Sequence, residues 1–117
     1  MKHIAGAALI GLAACSIQPG ELADAATTAV VLADGGVELN PVLSWAGDAA
    51  PVVSIAAKQG AKYLLVQQGY EQETVDNISN SLSWGAACHN VVIWTGGAHP
   101  PGIALGLLCV WLTWEAV

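Results

Sequence analysis

Arginine and phenylalanine do not occur in this chain of 117 residues, and lysine stands only at Lys2, Lys58 and Lys62. Nine carboxylates leave a formal net charge of −6. Phosphate binding needs clustered Lys and Arg, so the balance argues against nucleic acid and against a polybasic grip on anionic lipid. Charged residues of both signs make up 10% of the chain and apolar residues 55%. A soluble domain runs near ~25% charged, and a small one has much surface to cover with polar groups. The composition therefore disfavours a water-soluble monomer and intrinsic disorder, and it points to a small integral membrane protein of one domain. Five Trp suit the headgroup zone, where an apolar ring with one N–H sits well. Cys15, Cys88 and Cys109 show no C-x-x-C spacing, which leaves little for a zinc or thioredoxin-like reading. G-x-S-x-G, H-E-x-x-H, Walker and Rossmann patterns are missing too, so the reading is non-enzymatic, without cofactor or metal.

Residues 1–15 have the shape of a bacterial secretory signal. Lys2 is followed by an apolar run from Ile4 to Ala14, too short to span a bilayer as a helix. The run ends in Leu12-Ala13-Ala14-Cys15, which resembles the lipobox of bacterial lipoproteins. That resemblance implies cleavage before Cys15 and lipid attachment to it; the alternative is an uncleaved signal-anchor helix packed on the others. Residues 16–117 read as a single all-α membrane domain, a bundle of about four helices. The helices run over 21–33, 51–68, 71–95 and 103–116, with breaks at Pro19-Gly20, Asp34-Gly35-Gly36, Gly69-Tyr70 and the run from Gly96 to Gly102. Trp111 and Trp114 stand near the chain end as interface anchors would.

Ionisable residues are costly in lipid and turn inward or to water. Asp24, Thr27 and Thr28 share one helix face, as do Lys58 and Lys62. Counted from the loop between their helices, Asp24 lies roughly 15 Å deep and the two lysines roughly 12 and 18 Å deep. Asp24 can thus meet either lysine, as a pair that fixes helix register or as part of a proton or ion relay. Asn77, Ser81, Gly85 and His89 recur every fourth residue, followed by Asn90, and Gly102-x-x-x-Gly106 repeats the small-residue pattern; both suit close helix contact. Cys88 and Cys109 lie equally far from the turn at 98–99, so a disulfide is geometrically conceivable; two small packing residues are the simpler reading.

The run Asp24-x-x-Thr27-Thr28, Gly35-Gly36-x-Glu38-x-Asn40-Pro41, a Lys-bearing helix and an Asn-rich helix ending at His89-Asn90 resembles a family of short uncharacterised integral membrane proteins of prokaryotes and their phages. The family's signature is D-x-x-T-T followed by G-x-E-x-N-P, and the match covers about residues 21–95. His89 stands where the family has a second Asn. The resemblance implies a compact helical membrane fold with polar residues inward. The residues themselves predict a buried polar cluster of Asp24, Thr27, Thr28, Glu38, Asn40, Lys58, Lys62, His89 and Asn90. The expected role is helix packing or partner binding in a bacterial cell membrane, with lipids, a second copy or another membrane protein as partners. The alternatives are a holin-like lysis protein and a lipoprotein anchored at Cys15 with its helical domain outside the bilayer.

Overall fold

The computed structural model describes residues 17–36 and 44–114. Over these the chain is all-α: α1 Pro19–Ala33, α2 Ala50–Gln67, α3 Gln72–Trp94 and α4 His99–Thr113, with a 3-10 turn at Gly47–Ala49 leading into α2. Glu38, Asn40 and Cys15 lie outside the described residues.

Two helices begin earlier than the breaks suggested. Pro19 opens α1, and Pro100 and Pro101 fall in the first turn of α4. Proline has no N–H to lose there and its fixed φ suits the first turn, so these prolines start helices instead of separating them. Glu21 completes the start of α1 by accepting the Gln18 backbone N–H at 2.9 Å. α2 and α3 stop alike. Gly69 and Gly96 take φ of 105° and 87°, and the next residues, Tyr70 and Gly97, donate back to Leu65 and Val92. This is the left-handed glycine cap that a side chain would strain.

The helices run up, down, up, down. α3 is central: α4 packs antiparallel along one side of it, α1 parallel along another, and α2 packs antiparallel against both α1 and α3. Small residues set the α3–α4 contact. A methyl on Gly106 would come within 2.8 Å of the Gly85 carbonyl oxygen, and one on Gly102 within 2.7 Å of His89 Cδ2. The Ser81 hydroxyl donates to the Thr113 carbonyl at 2.8 Å. Cys88 and Cys109 are disulfide-bonded across this contact, with their Cα atoms 6.6 Å apart. The simpler reading of them as packing residues is corrected, because the glycine contact brings the two backbones within bonding reach.

The described part of the expected membrane bundle is a helical bundle, but none of its helices is long and apolar enough to cross a membrane. α1 and α4, at 15 residues each, reach about 22 Å. α2 and α3 are longer but carry the polar residues of the interior.

The disulfide closes a loop with a sequence separation of 21, which stabilises a fold by roughly 3 kcal/mol. Cys109→Ser is expected to lower stability by that order in thermal or denaturant unfolding while helix content at low temperature is kept. An unchanged midpoint would refute the contribution.

Candidate functional site

The interior of the bundle is polar. Its most deeply buried large side chain is a carboxylate, Glu21, at 0% exposure. The start of α1 places it there, with one oxygen bound to the Gln18 N–H. Lys62 on α2 donates to that same Oε1 at 2.7 Å, and Gln59, three residues earlier on the same face, donates to Oε2 at 2.8 Å. The Lys62 ammonium also lies 3.1 Å from Asp76 Oδ1 on α3. That oxygen is buried and receives no hydrogen bond among the described residues, so the lysine's charge stabilises it. Gln72 donates to the other Asp76 oxygen at 3.2 Å.

One turn along α1 lies a second layer. Lys58 donates to Asp24 Oδ2 at 2.5 Å and to Ser83 Oγ at 3.0 Å. The Asn90 amide, from α3, faces Asp24 Oδ1 at 3.2 Å, Thr27 Oγ1 at 3.1 Å and Thr28 Oγ1 at 3.0 Å. The Thr27 hydroxyl in turn donates to the Ala23 carbonyl at 2.8 Å. Helix ends bracket the two layers. The Gly20 N–H donates to Asn80 Oδ1 at 2.8 Å at the start of α1, and the Trp94 indole N–H donates to Asp34 at its end.

The seam thus brings together Asp24, Thr27, Thr28, Lys58 and Asn90, with Lys62 one layer away on Glu21 and not on Asp24. His89 is a correction. It neighbours Asn90 in sequence but turns to α4, where its Nε2 lies 3.2 Å from His99 Nδ1 with the rings stacked, beside Gly102. A helix turns about 100° per residue, and that step carries His89 from the seam, which Asn90 faces, round to the α4 side. Glu21, Gln59, Asp76 and Ser83 were not singled out from the sequence. Their spacing carried a signal: Glu21 precedes Asp24 by three residues and Gln59 precedes Lys62 by three, while Asp76, Ser83 and Asn90 recur every seventh residue along one face of α3.

Between α2 and α3 the seam opens into a cleft of about 440 Å³, with Asp24, Lys58, Lys62 and Ser83 among its polar lining and Leu65, Ile78 and Leu82 among its apolar lining. No group of three or more metal-ligating side chains gathers among the described residues. Chemically, the seam is a set of ion pairs and amide bridges that fixes three helices against one another.

No family model, curated protein or solved structure matches the chain.

Removing one member of a buried ion pair leaves the other uncompensated and costs about 3–5 kcal/mol. Lys62→Met is expected to destabilise the fold by that order. Adding Glu21→Gln should recover part of the loss, because the uncompensated carboxylate is removed. Denaturant unfolding of the single and double variants measures this coupling, and strictly additive losses would refute it.

Proposed function

We propose that this chain is a small, non-enzymatic integral membrane protein that acts through helix packing or partner binding. One observation carries the reading: the distribution of polarity is inverted. Glu21, Gln59, Lys62, Ser81 and Ser83 are buried, while Val52 is 71%, Leu107 66%, Leu112 66% and Trp111 71% exposed. Ile103, Leu107, Leu108, Trp111 and Leu112 give α4 a nearly continuous apolar exterior. Monomers in water rarely show contiguous apolar patches beyond a few hundred Å², whereas lipid or a second apolar surface makes this exterior favourable.

The polarity of the individual helices does not oppose the reading. Ser54, Gln59 and Lys62 of α2 are buried, and the Lys58 ammonium is engaged in the seam by Asp24 and Ser83. What α2 turns outward includes Val52, Leu64 and Leu65. α3, at 23 residues, reaches about 34 Å, against a hydrocarbon core of about 30 Å. Within the seam each ammonium faces a carboxylate, as suits a register-fixing role. The Cys88–Cys109 bond favours an oxidising, exported setting, in keeping with the signal-like leader. It also favours a second reading, a chain anchored through Cys15 whose helices lie on the outer membrane face.

Alkaline carbonate separates the two readings. The integral reading expects the chain to stay in the membrane pellet under carbonate and to be released by detergent, in wild type and Cys15→Ser alike. Release of Cys15→Ser alone by carbonate, with acyl mass on the wild-type chain, would establish the anchored reading; release of wild type by carbonate would overturn both.

A further inference from the structure

The cleft between α2 and α3 has more donors than its own residues use. An ammonium carries three N–H donors; that of Lys58 meets Asp24 and Ser83, and no third acceptor reaches it among the described residues. Ser83 accepts from Lys58, but its own hydroxyl hydrogen meets no acceptor among those residues, although the side chain is only 3% exposed. Both groups line the cleft. Two donors side by side in the lining of a mostly apolar cleft call for an acceptor carried on an apolar body. The size of about 440 Å³ falls within the range of small-molecule sites.

Charge selects the kind of acceptor. Glu21, Asp24 and Asp76 outnumber Lys58 and Lys62 by one in the seam, and Lys62, which also lines the cleft, is engaged behind it by Glu21 and Asp76. An anionic head group would add to that excess in a poorly solvated place, whereas a neutral carbonyl oxygen would not. We propose that this cleft binds a neutral, lipid-like amphiphile through its carbonyl oxygen, with Lys58 and Ser83 as donors and Leu65, Ile78 and Leu82 against its chain. The proposal names a partner for the packing-and-binding role argued above and rests on it only for the source of the ligand.

The test uses the full chain in dodecyl maltoside, a detergent without a carbonyl, and 1-decanoylglycerol labelled with ¹³C at its ester carbon. Isotope-edited infrared spectra are expected to show a saturable, down-shifted carbonyl band at one ligand per chain. The matched ether, 1-O-decylglycerol, lacks the carbonyl acceptor and should bind about tenfold more weakly. Ser83→Ala, which keeps the Lys58–Asp24 pair, should weaken the ester several-fold, and Ala61→Trp, at the exposed rim of the cleft, should abolish the band in a chain of unchanged helix content. Equal affinity for ester and ether, tighter binding of decanoate, or a band indifferent to Ala61→Trp would overturn the proposal. A carbonate-released chain that still binds the ester would overturn the membrane reading and support this one; a carbonate-resistant chain without the band does the reverse.

Discussion

Lys62 is the charge on which the arrangement of the bundle depends. It belongs to α2, donates to Glu21 of α1 and neighbours Asp76 of α3, with its side chain 5% exposed. Burying an ammonium costs several kcal/mol unless it is paired with good geometry, so all three helices are held in one register. Sliding any of them by one turn, about 5.4 Å, would leave at least one charge without a partner. The cap of α1 is tied into the same constraint, because the Glu21 oxygen that receives Lys62 also receives the Gln18 N–H. The residue that starts α1 therefore also fixes where α1 sits.

α3 joins two kinds of packing. Its Asp76, Ser83 and Asn90 face the charged seam, and its Ser81, Gly85 and Cys88 face α4. The first side is held by directional polar contacts. The second is held by close backbone approach at Gly85 and Gly106 and by a covalent bond. Glycine contact lets the two backbones approach closely, and the Cys88–Cys109 bond ties them covalently on a side where no charge pair stands among the described residues.

What the sequence made legible follows from these two kinds of packing. Depth along a helix can be counted, so Asp24 and Lys58 could be set at similar heights before any contact was known, and the Gly102–Gly106 contact was readable from spacing alone. Rotation of one helix about its axis relative to another is not carried by spacing within either. That is why counting leaves Asp24 open to either lysine, whereas Lys58 is its partner and Lys62 pairs with Glu21, and why spacing groups His89 with Asn90 though it faces His99. Glu21 is hidden for a related reason. An acidic residue in a first turn is accounted for by the helix dipole, which hides a second role in the interior. The prolines near residue 100 carried two meanings, breaker and first-turn residue, and only the surrounding contacts decide between them.

The placement of polarity follows from what holds helices together in each solvent. In water, apolar burial supplies the main drive for packing, and a core containing Glu21, Lys62 and Gln59 forgoes much of it. In an apolar surrounding, Leu and Val gain nothing by leaving lipid for a protein core, and helix association rests on close small-residue contact and hydrogen bonds between helices. This bundle has those contacts inside: Gly85 on Gly106, Asn90 across to Asp24 and the two threonines, Lys62 on Glu21. Its Leu and Trp side chains are left outside. The low charge content of the chain and its charged interior thus have one cause. With so few charges available, those that bind helix to helix occupy the seam, and the outer faces of α2 and α4 are left largely to apolar side chains that favour contact with another apolar phase.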